Sequence, residues 1–180
     1  MCIRDSAISA VADGGTYLAY DNANKFETTN DGVSITGMTT TSAGMTFNGM
    51  LKEEVEITAG KLSDNTNIDL EDGMIHYFTT EETTTCTPNI RVSSSTSLNS
   101  VMSDGDAVTV TVITTADASG YSANWTIDGN AVTEEWVGGS APSAGGSDGL
   151  DIYVLTIICT HSTNTGDSGF KVIGNLTNAT

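Results

Sequence analysis

The chain has 180 residues, with 6 basic and 23 acidic side chains and a formal net charge of −17. That balance excludes a nucleic-acid binder, which needs clustered cations to displace phosphate counterions, and attachment to an anionic membrane surface. Only 38% of residues are apolar and about a quarter are Ser or Thr. The longest apolar run, Ile152 to Ile158, is far short of the roughly 18 residues a membrane helix needs.

Met1 to Ser6 has no pattern of a domain start and resembles translated adapter read-through from environmental sequencing. Residues 1–12 are therefore expected to be a disordered or non-native leader, with the natural protein extending further toward its N-terminus. Ala7 to Ala12 is too brief for the apolar core of a secretory signal.

From residue 13 to 72 the apolar positions come in short clusters with Gly close by: Tyr17–Tyr20, Val33/Ile35, Met45/Phe47, Val55/Ile57 and Ile68/Leu70. The pattern Gly, apolar, polar, apolar, polar, Gly, Met occurs at Gly32–Met38 and again at Gly44–Met50, as a stack of rungs would show. A three-residue strand buries two or three side chains at about 1.5–3 kcal/mol each. Ordering the nine to twelve residues of a rung costs roughly 1–2 kcal/mol per residue in backbone entropy. A lone chain does not meet that cost, so this segment is expected to be an intertwined, threefold β stem whose copies cover one another.

From Gly73 the strands lengthen: Met74–Phe78, Asn89–Val92, Ala107–Thr114, Ala123–Ile127, Val132–Trp136, Asp151–Cys159 and Gly169–Leu176. Period-two alternation bounded by Gly, Asn, Asp and Ser marks them as β. Residues 73–180 are expected to form a β-sandwich or jelly-roll-like domain, making the whole chain all-β. Asp128-Gly129 predicts a type I′ hairpin turn. Pairing Ile127 with Asn130 places Trp125 opposite Val132, Ala123 opposite Glu134 and Tyr121 opposite Trp136, with Trp125, Ile127, Val132 and Trp136 facing inward and Glu134 near an edge or a subunit contact. Asp151–Cys159, apolar on both faces, belongs at a sheet centre or beneath a partner chain.

The segment Thr16-Tyr17-Leu18-Ala19-Tyr20-Asp21-Asn22, then Lys25-Phe26-Glu27-Thr28-Thr29, then Gly32-Val33-Ser34-Ile35-Thr36-Gly37 resembles a module of tail fibres and related virion proteins of tailed, often marine, bacteriophages. Gly73–Thr80, Thr126–Gly129, Trp136–Pro142 and Asp151–Tyr153 resemble, more loosely, a C-terminal β domain of such proteins. The resemblance implies a homotrimeric virion appendage that touches other phage tail proteins and a host cell-surface receptor or glycan. It carries over no catalytic residue and no cofactor. A head-decoration or baseplate accessory protein, and a bacterial adhesin or carbohydrate-binding module, are the competing expectations.

Other chemistry is weakly marked. The acidic groups Glu53/Glu54/Glu56, Asp69/Glu71/Asp72 and Asp104/Asp106 lack EF-hand spacing, and no metal is expected. Glu134 and Glu135, adjacent on a strand, point to opposite faces and cannot flank one glycosidic bond; no enzymatic activity is expected. Three cysteines, at 2, 86 and 159, have no metal-ligand spacing. A Cys86–Cys159 bridge is one alternative, a reduced, buried Cys159 the favoured one. His76 and His161 are expected to be structural or surface residues. The three Asn-x-Thr sequons, at Asn124, Asn175 and Asn178, match chance. Tyr121, Trp125, Trp136 and Tyr153 are assigned to the core rather than to sugar stacking, and the Gly/Ser/Ala-rich loop Gly138–Gly149 is the expected exposed contact surface.

Overall fold

A computed structural model describes residues 6–10, 14–21 and 23–179. The chain is all-β, as alternation predicted, and divides between Leu51 and Lys52 into two compact units.

The first unit is an antiparallel meander of β1 (Ser6–Ala10), β2 (Thr16–Tyr20), β3 (Ala23–Thr29) and β4 (Gly32–Ile35), adjacent in that order. Ser6–Ala10, expected to be leader, thus pairs along its length with β2; the remaining leader residues 1–5, 11 and 12 lie outside the described ones. A bulge between Leu18 and Ala19 leaves Lys25 without a partner on β2. After Ile35 there is no regular secondary structure up to Leu51, and every residue from 36 to 51 is exposed. Of the two repeat copies only Gly32–Met38 contains a strand. Among the described residues Gly44–Met50 has no neighbouring strand to pair with its N–H and C=O groups, and a strand does not exist without one.

The second unit is a sandwich. One sheet has six strands in the order β12-β14-β13-β9-β7-β5, built from β5 (Val55–Thr58), β7 (Ile75–Glu81), β9 (Ala107–Thr115), β12 (Glu134–Trp136), β13 (Leu150–Cys159) and β14 (Phe170–Ala179). The other has four in the order β11-β10-β8-β6, from β6 (Asn67–Asp69), β8 (Asn89–Arg91), β10 (Thr126–Ile127) and β11 (Asn130–Ala131). Parallel neighbours need a crossover, and here the chain makes it by visiting the opposite sheet. β5 and β7 are parallel with β6 between them in sequence, and β6 and β8 are parallel with β7 between them. β5 and β6, which strand length alone assigned to the stem, are therefore sandwich strands; the expected boundary at residue 72 moves to 51.

Between the sheets Ile68, Ile90 and Ile127 meet Phe78, Val110, Val112, Leu155 and Ile157, and Leu62, Leu98 and Met102 belong to the same buried cluster. β13 lies between β14 and β9 and alternates along its length, with Asp151, Tyr153, Leu155, Ile157 and Cys159 inward. The Tyr153 ring meets Trp125 edge-on at 5.6 Å, the arrangement aromatic quadrupoles favour. Cys86 and Cys159 are both free thiols, and Cys159 is fully buried.

Asp128 and Gly129 both have positive φ, 52° and 76°, as a type I′ turn requires, and Ile127 pairs with Asn130 as expected. The hairpin ends after Thr126↔Ala131, however. Instead of continuing opposite Trp125, the chain crosses to the larger sheet, where β12 runs parallel to β14 with Glu134 level with Val172. Glu134 Oε1 accepts the Trp125 backbone N–H at 2.6 Å and so replaces the missing ladder partner. Trp125, Ile127 and Val132 are buried as predicted, and Glu134 sits on an edge strand. Among the described residues no helix is long and apolar enough to cross a membrane.

Candidate functional site

Two surfaces stand out: the loop after β12, and the meander of the first unit. At the loop, Val137 N–H donates to Gly174 O at 2.8 Å and Gly139 N–H to Trp136 O at 2.9 Å, turning the chain sharply off the sheet edge. A Cβ at Gly174 would lie 3.0 Å from the Trp136 ring; without one, the indole rests directly on β14. Trp136 is half-buried rather than core, because it packs at the open edge of the sandwich. Ser140, Ala141, Ser143 and Ala144 are exposed. Together with Trp136, Pro142, Leu176 and Asn178 they enclose a shallow cleft of about 270 Å³.

The far end of the loop is tied down. Gly145 N–H donates to Ala118 O at 3.2 Å, and Gly146 N–H reaches both oxygens of Asp151 at 2.9 and 3.0 Å. Asp151 is wholly buried and also accepts from Asn178 Nδ2 at 2.6 Å. The expected contact loop is thus an exposed arc held at both ends.

The other sequence candidates fall elsewhere. Tyr153 is buried, its hydroxyl accepting the Ser122 N–H at 3.0 Å, and burial holds its proton on well above the ordinary phenol range. With Trp125 also buried, neither is a sugar platform. Tyr121 is half-buried beside Thr85, Thr87 and Asn124. Glu134 and Glu135 do diverge: burial pushes the Glu134 carboxyl up, while exposed Glu135 pairs with Lys171 at 2.5 Å.

Three of the acidic residues, Asp69, Asp104 and Asp106, are engaged in a pair and in turns. Asp69 holds Arg91 through two contacts of 2.5 and 3.1 Å. Asp104 accepts the Ser162 N–H at 2.7 Å, which holds its carboxyl below the usual range, and Asp106 accepts from Ser103 N at 2.8 Å. Among the described residues no three His, Cys, Asp or Glu side chains converge as metal ligands would. His76 is buried with Nε2 donating to Gly73 O at 2.9 Å; His161 Nδ1 lies 3.0 Å from the Thr163 hydroxyl.

A second cleft, about 400 Å³, is lined by Ser93–Ser97, Asn89, Arg91, Asp128 and Gly129. Its charges are already committed. Arg91 is paired with Asp69, and Asp128 accepts the N–H groups of Leu98 and Asn99 at 2.7 and 3.0 Å at the start of the short helix α1 (Leu98–Val101). Asn89 Oδ1 accepts from Gly129 N at 2.7 Å.

Sequence reasoning missed Asp151 and Glu82, two buried carboxylates that pin loops. Glu82 accepts from Ser63 N and Oγ at 2.8 and 2.7 Å and from Thr84 N at 3.1 Å. An acid heading an otherwise apolar strand was a usable signal for Asp151; Glu82 had none.

The meander differs from the sandwich in one respect that decides its physics. Every buried apolar residue of the described chain lies beyond Leu51, whereas Ile8, Leu18, Tyr20, Val33, Ile35, Met38, Met45, Phe47, Met50 and Leu51 are all exposed. Comparison with protein-family models, with curated proteins and with solved structures finds no match for the chain.

Proposed function

We propose that the chain is a structural component of a tailed-phage virion, a tail-fibre or tail-tip protein that mediates attachment to the host surface. The observation that carries this is the first unit: ten large apolar side chains exposed on a short-stranded sheet and its extension, with none buried among the described residues. A single sheet cannot cover its own apolar face and needs a second layer, and copies of the chain provide it. A homotrimer is the arrangement the Thr16–Gly37 resemblance favours.

The sandwich supplies its own core and serves as the displayed tip. Its loop Gly138–Gly149, with Trp136 beside it, is the surface offered to a receptor or glycan, through contact rather than bond chemistry. Assembly takes place in the host cytoplasm, and the mature protein resides in the phage tail.

Electron microscopy of the purified protein tests the reading. An elongated, multi-copy particle is expected. A compact particle points instead to a head-decoration or baseplate role, and a compact single chain that binds a glycan array points to an adhesin or carbohydrate-binding module.

A further inference from the structure

Residues directly opposite each other on antiparallel strands share a face. In the meander Ile8 faces Leu18, Leu18 faces Phe26 and Phe26 faces Ile35, an unbroken apolar row across all four strands. Val33, opposite Thr28 and two residues from Ile35, lies on the same side. The next row, on the other face, is Ser9, Tyr17, Glu27 and Ser34. The sheet therefore has the one-sided patterning of a sheet packed on a core. Yet Ile8, Leu18, Val33 and Ile35 are between 42% and 80% exposed.

We propose that this face, the row Ile8–Leu18–Phe26–Ile35 with Val33, is the surface through which copies of the chain pack on one another. The proposal rests on the reading of the chain as self-associating and specifies the face that does it, against edge-to-edge strand pairing.

The charge pattern points to a second copy as the occupant. The chain carries a net −17, so identical copies repel wherever acidic groups oppose each other. The paired row carries no charged residue, while the opposite row presents Glu27; Lys25, unpaired on β2 at the bulge, belongs to neither row. A cationic partner would be drawn to the acidic surfaces and gain nothing from this one; an equally acidic copy can approach closely only across a neutral face.

Four strands at about 4.8 Å spacing and five residues at about 3.3 Å rise give a face of about 320 Å². Two such faces bury about 640 Å², roughly half of the ~1,200 Å² at which stable interfaces begin. The contact must therefore run on into residues 36–51, whose Met38, Met45, Phe47, Met50 and Leu51 are also exposed.

Adjacent residues of β4 provide the test, because Ser34 and Ile35 share a strand and point to opposite faces. Sedimentation equilibrium of the full chain should show Ser34→Lys, whose ammonium lies opposite Glu27, assembling like the unaltered protein. Ile35→Glu should weaken assembly by about a hundredfold or more, the effect of forcing like charges together at a contact. Circular dichroism confirms that the sandwich persists in each variant. Hydroxyl-radical footprinting of the unaltered chain provides a reading free of substitutions: Leu18, Phe26 and Ile35 should be protected and Tyr17 labelled.

An assembled Ile35→Glu variant, or a freely labelled row in an assembled wild type, overturns the choice of face and leaves self-association standing. A monomeric wild type overturns both. Loss of host adsorption with assembly intact touches the attachment reading alone.

Discussion

Asp151→Ala probes the anchor that holds the contact loop. The carboxylate is wholly buried, accepts one backbone N–H through both oxygens from Gly146, and accepts one amide hydrogen from Asn178. Removing it strands the buried Gly146 N–H, at about 1–3 kcal/mol, while each hydrogen bond to a charged group contributes about 1.5–3 kcal/mol. Asn178 is exposed and turns to water, so its share is small. Deleting a buried charge also removes its desolvation cost, which offsets part of the loss. The net expectation is a destabilisation of about 2–3 kcal/mol, or about 6–12 °C in melting temperature for a domain of this size. Urea and thermal denaturation measure it, and hydrogen exchange should show the Gly146 amide losing its protection. Asn178→Ala serves as the mild comparison, below about 1 kcal/mol. An Asp151→Ala loss under about 0.5 kcal/mol, within the range of ordinary surface changes, would refute the anchoring argument.

Gly120→Ala should destabilise the sandwich by about 3 kcal/mol, the upper end of overpacking costs, because its Cβ would sit 2.1 Å from the Glu82 carbonyl oxygen; a denaturation midpoint equal to wild type contradicts the close approach. Burial lowers the pKa of His76 from its usual 6.5, so the unfolded chain takes up the proton first. The stability from neutral His76 is thus full above about pH 6.5 and lost as pH falls through the lower folded value. A His76→Gln variant should lose stability less steeply below pH 6.5, and parallel curves would exclude the effect. In the native state Cys159 should resist alkylation, being wholly buried, and Cys86 should react slowly, since burial pushes its thiol up; reductant should not alter stability through an 86–159 bridge, and a shift traced to that bridge by peptide mapping would contradict the free thiols.

Much of the sandwich was legible because its signals are local. Alternation in Ala107–Thr114 identifies its inward valines, the apolar run Asp151–Cys159 marks a central strand, and Asp128-Gly129 determines a turn whose two positive φ values few other dipeptides accept. What was not legible is non-local. The three- and four-residue strands β5 and β6 look, as sequence, like the short clusters of the first unit; what makes them sandwich strands is parallel pairing with β7 and β8. The hairpin register was right for two pairs and then failed, since β12 takes its partner from β14, more than thirty residues away. The exposed loop Gly138–Gly149 was legible from its Gly, Ser and Ala content. Its anchor was not, because the value of Asp151 lies in backbone N–H groups that converge only in the folded chain. Trp136, assigned inward by the hairpin register, became the wall of a cleft once that register ended.

The central claim is that the first unit has no core of its own and that copies of the chain supply one. Multi-angle light scattering of the unmodified chain over a micromolar dilution series measures this directly. The account predicts a particle whose mass is a whole multiple of 18.7 kDa, three copies being the expected number, with a melting temperature that falls on dilution. A single 18.7 kDa species that melts in one concentration-independent transition, its first unit protected from exchange, would contradict it.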